Sequence, residues 1–349
     1  MSNGYIIVNA TALDHSGALS ILRQFVKNIP YDNQKWYVFV SPIVSVKSPN
    51  PNVYIVPIKG VKSMHKRLWW DAFGLKRWLG SHKIEPIAAI SLQNTGFNVG
   101  KKVPTYIYYH QPIPFFSFKW NPFKRQERIF WFYKYIYPLF VKLFKRKNTK
   151  IFVQLDYIKK GFAKRFRHPE NFIKVFSPSV KIPRCLNGNR ISASDTLQLI
   201  YPATPYFYKN HRIIDSALGH TDKKVQVLFT IDKNSMEFED KRIHLIGVQP
   251  YERICEYYRS CDALLFPSYI ETFGLPLLEA AMTGMPIIAA DLPYSREVLD
   301  GYEGVTFVPY DDSQAWAVAI DQLEKGKRYL PIDISTRQGW KELFEEITI

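Results

Sequence analysis

Cysteine is scarce here: Cys185, Cys255 and Cys261 are the three in 349 residues. An odd number without metal-ligand spacing argues against a disulfide scaffold or a structural zinc module and fits reduced cytosol. Glycine is also sparse, at 17 residues, and no repeat or biased segment occurs, which excludes collagenous, low-complexity and largely disordered classes. Nowhere do about 18 apolar residues run together, and the opening MSNGYIIVNATALD has no basic segment leading into a sustained apolar one. The expectation is a cytoplasmic chain that neither spans a membrane nor leaves by a signal peptide. Acids are few as well: 31 Asp and Glu against 47 Lys and Arg leave a net charge of +16. Such a surplus attracts nucleic acid, anionic lipid or phosphorylated substrates.

The surplus is local. Between Lys119 and Lys150 ten Lys or Arg face one acid, Glu127, and Trp120, Phe123, Phe130, Trp131, Tyr135 and Phe144 are interleaved with them. Some of these aromatics are core, since Ile129, Trp131, Phe132, Tyr135, Ile136, Leu139 and Leu143 keep partly helical spacing. The remainder reads as a face toward an anionic membrane, because Trp and Tyr favour the headgroup region and each nearby basic residue adds about 1 kcal/mol.

The length exceeds what one core usually serves, so two domains of roughly 150 to 180 residues are expected. Residues 5–9 (YIIVN) read as a buried strand, followed by a loop reaching Ser16-Gly17 and a helix with Leu19, Leu22, Val26 and Ile29 on one face. Further strands are expected at 36–40, 53–56, 87–90, 103–109 and 151–154. Segment 181–196 (KIPRCLNGNRISASDT) has the composition of a connection. Strands resume at 197–201, 225–231, 243–247, 263–266, 286–290 and 305–308. The reading is α/β: a domain over 1–180, a linker at 181–196, a second domain over 197–330, and a C-terminal helix within 331–349 that packs back on the first. Both domains are Rossmann-like, doubly wound parallel sheets.

Chemistry concentrates at 262–309, DALLFPSYIETFGLPLLEAAMTGMPIIAADLPYSREVLDGYEGVTFVP. Pro276 in a first helical turn, with Thr283-Gly284 and Pro286 after the last, brackets a helix of about two turns. Its N-terminus follows Glu271-Thr272-Phe273-Gly274, and free N–H groups after such a loop suit a diphosphate. Carboxylates do not bind phosphate, so Glu271 and Glu279 would take sugar hydroxyls; an isolated pair at this spacing also fits helix-dipole partners on a solvated surface.

The E-x7-E pair with FGLP inside it, PS before it and GMPIIAAD after it resembles glycosyltransferase family 4, retaining enzymes of the two-domain GT-B fold. The likeness is specific over residues 243–309. It implies that Glu279 bonds the nucleotide ribose, while Glu271 with the backbone of Phe273, Gly274 and Leu275 faces the donor sugar and phosphates. In YPATPYFYKN, Lys209 matches the family's diphosphate-binding lysine. The arginine usually about six residues earlier is replaced by Ala203, so Thr204, Arg212 or His211 is left to compensate; Lys209 alone also fits an exposed loop lysine. Ser16-Gly17 resembles the glycine-rich loop beneath the donor phosphates. His110, after the strand TYIYY, resembles the family's histidine near the transferred sugar, although a histidine beside aromatics is also a common structural residue.

The resemblance implies two domains facing a cleft and a metal-independent, cofactor-free, retaining transfer. The donor is a nucleotide-diphosphate sugar, and the acceptor is a lipid-linked or polysaccharide glycan of bacterial surface synthesis. The protein would lie against the inner face of the cell membrane and would not bind nucleic acid. Two other classes compete: a nucleotide-sugar epimerase or hydrolase of the same fold, and a basic nucleic-acid-binding protein without catalytic activity.

Overall fold

The computed structural model describes residues 4–14, 16–61, 63–180 and 195–348; most of the connection at 181–196, with Cys185, lies outside the described residues. The chain forms two compact units, Met1–Ser179 with Arg337–Ile349, and Val180–Thr336.

The first unit holds seven strands: β1 (Tyr5–Ala10), β2 (Lys35–Val40), β3 (Val53–Pro57), β4 (Pro86–Ser91), β5 (Thr105–Tyr108), β6 (Lys150–Val153) and β7 (Ile173–Val175). All pair in parallel, in the order β3-β2-β1-β4-β5-β6-β7. Helix α1 (Ser16–Asn28) follows β1. A longer helical stretch joins α2 (Met64–Trp69) to α3 (Leu75–Ser81) through a π turn, Trp70–Gly74. A second such stretch joins α4 (Arg128–Trp131) to α5 (Tyr137–Leu143) through another π turn, Phe132–Ile136, and α6 (Asp156–Phe166) precedes β7.

The second unit runs β8 (Leu197–Tyr201), α7 (His211–Leu218), β9 (Val225–Phe229), β10 (Ile243–Leu245), α8 (Tyr251–Ser260), β11 (Ala263–Phe266), α9 (Leu275–Ala281), β12 (Ile287–Ala290), α10 (Pro293–Val298), β13 (Val305–Val308) and α11 (Ser313–Asp321). Its sheet order is β10-β9-β8-β11-β12-β13, again parallel. Strands β11 and β12 are buried throughout, as expected of apolar runs covered by helices on both faces.

The last helix, α12 (Trp340–Thr348), belongs to the first unit. Trp340, Leu343, Phe344 and Ile347 join the cluster containing Phe25, Trp36 and Tyr108. Phe25 meets Trp340 edge-on at 5.8 Å, Trp36 meets Phe344 at 5.5 Å, and Glu346 accepts from Lys150 Nζ at 2.7 Å.

Several element limits differ from the sequence reading. The strand expected at 103–109 begins at Thr105, because Pro104 has no N–H for the ladder. The one expected at 243–247 ends at Leu245, two residues before Gly247 turns the chain at φ 72°. The one expected at 225–231 ends at Phe229, and residues 331–336 belong to the second unit.

Candidate active site

In doubly wound sheets the order reverses at one point, and ligands gather outside the carboxyl ends of the two strands there. In the second unit that point lies between β8 and β11. The loop after β8 carries Thr204 and Lys209; the loop after β11 carries Glu271, Phe273 and Gly274.

The two loops are stitched together. Tyr269 N donates to Tyr208 O at 3.0 Å, and Asn210 Nδ2 donates to Pro267 O at 3.4 Å and Tyr310 O at 2.7 Å. Tyr201 Oη donates to Lys209 O at 2.7 Å, fixing the lysine's backbone from beneath. Lys209 Nζ then donates to Glu271 Oε1. Both side chains are largely buried, 15% and 14% exposed, so the pair is held in place rather than loosely solvated. Nζ also lies 5.5 Å from the centre of the Tyr208 ring.

Gly274 precedes α9 at φ 83°, where a side chain would be strained and its Cβ would meet Leu277 Cδ1 at 3.2 Å. Leu275 and Pro276 begin the helix, and Phe273 is buried. One to two turns along, Glu279 is buried, and Tyr258 Oη donates to its Oε2 at 2.9 Å. Burial raises its carboxyl above the usual range, while the hydroxyls of Tyr258 and Tyr251 oppose that rise. The sequence reading missed both tyrosines; their spacing on α8, at i and i+7, was the available signal.

The residues left to compensate for Ala203 separate. Thr204 and Arg212 are exposed, and Thr204 O accepts from Tyr206 N at 2.9 Å. His211 is 1% exposed, wedged against Tyr201 and Phe229 at 4.7 and 4.9 Å, with burial lowering its imidazole to about 4. It is neutral at physiological pH and takes no part in balancing a diphosphate's charge.

In the first unit the reversal lies between β1 and β4. Ser16 begins α1, and Gly17 follows it, exposed; a Cβ there would meet nothing within 4 Å, so packing does not demand glycine. His110 follows β5. Its backbone N–H donates to Asn94 Oδ1 at 2.6 Å, and its Nε2 lies 2.9 Å from Leu92 O. A carbonyl only accepts, so Nε2 carries the proton, and burial lowers the imidazole's affinity for a second one. The Leu92 carbonyl thus fixes the tautomer of His110 with a proton on Nε2.

The basic run divides. Trp120, read from the sequence as available to a membrane surface, is buried: it packs on Phe130 at 5.9 Å with Lys134 Nζ over its ring at 5.3 Å. Arg146 donates to Gly100, Lys101 and Val103 carbonyls, and Lys145 Nζ bonds His168 Nδ1 at 3.0 Å, so these two cations hold the fold. Lys119, Lys124, Arg125, Arg128, Lys142 and Lys147 are exposed, as are Phe123, Ile129, Leu139 and Leu143. Trp69 and Phe73, on and beside α2, are exposed too, and the sequence reading did not single them out. Among the described residues no helix is long and apolar enough to cross a membrane.

Two parallel-sheet α/β units of this order define the GT-B class. HepE from Anabaena, a structure holding UDP and glucose, has the same fold at a TM-score of 0.65 and 14% identity, covering 98% of this chain and 97% of that one. Residues 234–341 match the family model Glycosyl transferases group 1, and this segment contains Glu271 and Glu279. An O-antigen chain mannosyltransferase of Salmonella typhimurium is 34% identical over 90 residues, 26% of this chain and 25% of that protein. A D-inositol 3-phosphate glycosyltransferase of Nocardia farcinica is 38% identical over 84 residues, 24% of this chain and 18% of the relative. The chain thus matches about a quarter or less of the length of these curated relatives.

Proposed function

We propose that the protein is a glycosyltransferase that moves a hexose-type sugar from a nucleotide-diphosphate donor to a lipid-linked or polysaccharide acceptor in bacterial surface-glycan synthesis. The observation that carries this reading is the Lys209–Glu271 pair at the strand-order reversal of the second unit, within two turns of the buried Glu279. A cation suited to a diphosphate and two carboxylates suited to hydroxyls stand on one sheet end, as a sugar nucleotide requires. The group 1 match over residues 234–341, which contains Glu271 and Glu279, supports it.

In this account Lys209 leaves Glu271 for the diphosphate when donor binds, and Glu271 turns to the sugar hydroxyls. Glu279, aimed by Tyr258, takes the ribose. The backbone at Phe273, Gly274 and Leu275, with Thr204, lines the phosphates and sugar. By the resemblance, Ser16 and Gly17 are the first unit's own candidates for phosphate contact, and a Cβ at Gly17 would meet nothing within 4 Å. His110, its Nε2 proton held by Leu92 O, positions the sugar. The bond from the anomeric carbon to the phosphate oxygen breaks, and the acceptor hydroxyl bonds the same face. The hydroxyl proton passes to the departing phosphate, whose charge Lys209 stabilises. No resident metal or cofactor takes part; the exposed basic and apolar side chains of 119–147 rest on an anionic membrane.

Calorimetric titration with nucleoside diphosphates tests the reading: one base should bind, and Glu279→Ala should weaken it at least tenfold. Equal affinity in wild type and variant would remove Glu279 from the site.

A further inference from the structure

The first unit contains a buried carboxylate that the proposed transfer does not use. Asp71, 2% exposed, sits in the π turn Trp70–Gly74. Its Oδ1 accepts from Asn9 Nδ2 at 2.7 Å, and both its oxygens accept from Gln93 Nε2, at 3.1 and 3.2 Å. Gln93 turns its other end to Thr11: Oε1 accepts from Thr11 Oγ1 at 3.1 Å and from Ala12 N at 3.2 Å. The second π-bulged stretch reaches the same place, where Tyr137 Oη donates to Gln93 O at 3.1 Å. A π turn rotates everything after it by an extra fraction of a turn and is frequent at functional sites. Here both π-bulged stretches of the unit deliver a side chain onto Gln93.

Gln93 lies between the two residues that hold His110. Leu92 O accepts from the imidazole Nε2, and Asn94 Oδ1 accepts from the His110 backbone N–H. Residues 92–94 are thus clamped in the middle by Asp71, Thr11 and Tyr137 and grip His110 at both ends. Asn94 has φ 69°, a left-handed conformation that asparagine adopts more readily than most side chains, and this turns the segment toward His110.

We propose that Asp71 is a positioning residue, acting through Gln93 to fix segment 92–94 and so the orientation and tautomer of His110. The inference rests on the proposed transfer for its kinetic readout, whereas its spectroscopic readout stands without it. Donor and acceptor matching supplies the test. Asp71→Asn keeps one oxygen for Asn9 and sets its amide hydrogens against those of Gln93. Adding Gln93→Glu re-matches the pair: the carboxylate introduced at position 93 accepts from Thr11, Ala12 and the amide at position 71, while the oxygen of that amide still accepts from Asn9.

The experiment uses the full chain with nitrogen-15 histidine, the His110 ring signals being assigned by their loss in His110→Gln. Wild type should show a single tautomer, with its proton on Nε2, at pH 8.5. Asp71→Asn should mix the tautomers and lower turnover roughly tenfold or more, a common penalty for a displaced reacting group, with donor KM within twofold of wild type. The double variant should recover both. Thr11→Val, which removes one of the two donors to Gln93 Oε1 at nearly constant shape and leaves Ala12 N–H, should reproduce the defect in part and covers the case in which Asp71→Asn does not fold. Wild-type ring signals in folded Asp71→Asn or Thr11→Val, or a double variant no better than the single, would overturn the proposal. If wild type shows no transfer at all, the transferase reading fails, and the ring signals still decide the role of Asp71.

Discussion

Lys209 and Glu271, 62 residues apart in sequence, form an ion pair that bridges the loops after β8 and β11. Each neutralises the other, so in the proposed transfer a donor would replace both halves: phosphate for the carboxylate, hydroxyl for the ammonium. Losing one half leaves a poorly hydrated charge behind.

Lys209→Ala should therefore weaken nucleoside-diphosphate binding at least tenfold, while Glu271→Ala should bind free nucleotide about as well as wild type and lose turnover. In a double-mutant cycle the two should show a coupling of about 1 kcal/mol or more in chemical unfolding. Full additivity would show that the pair is not formed in solution.

Tyr258→Phe removes the hydroxyl that aims Glu279 without changing the ring. Nucleotide affinity should fall several-fold, by the about 1 kcal/mol typical of one hydrogen bond, while Tyr258→Phe in a Glu279→Ala background should cost little more. Calorimetry on the four proteins checks this; an undiminished loss in the double variant would detach the tyrosine from the carboxylate.

Burial raises Asp71 to about 7 from an ordinary 3.8, against the pull of Asn9, Arg67 and Gln93. Because the folded value lies above the unfolded one, the stability from this group is fully present below about pH 4 and is lost as pH rises through 7. Tyr137, the other titratable neighbour, stays protonated across this window, since burial raises it further above its ordinary 10. The Tm of Asp71→Asn minus that of wild type should thus grow more positive from pH 5 to pH 8. A constant difference would mean that Asp71 titrates at its ordinary value.

Much of this fold is legible because parallel strands buried on both faces write themselves as apolar runs such as ALLF at 263–266 and IIAA at 287–290. Strand β7, three residues at a sheet edge, leaves no such run. Glu271, Gly274 and Glu279 were visible because their spacing lies within one loop and one helix. The Asp71 clamp was not: Asn9, Asp71, Gln93 and Tyr137 come from four elements, and the two π turns that aim Asp71 and Tyr137 have no pattern of their own. Trp120 was misread because composition gives no direction; Lys134 and Phe130 hold it inside.

The division within the basic run gives separable outcomes for membrane attachment. Replacing the exposed Lys119, Lys124, Arg128 and Lys142 by Gln should release the protein from anionic vesicles with Tm unchanged, each charge having contributed on the order of 1 kcal/mol. Arg146→Gln should instead lower Tm, because three loop carbonyls lose their donor. Sedimentation at low and high salt reads the first; wild-type sedimentation of the quadruple variant would remove the membrane from the account.

Product analysis separates acceptor-dependent transfer from hydrolysis and epimerisation. The protein is incubated with sugar nucleotides labelled in the sugar, with and without lipid-linked glycan, and with a strong chelator in parallel. Label should appear in the glycan with its anomeric configuration kept, undiminished by chelator and lost in Glu271→Ala. Free sugar or an epimerised donor formed equally well without acceptor would contradict the proposed transfer.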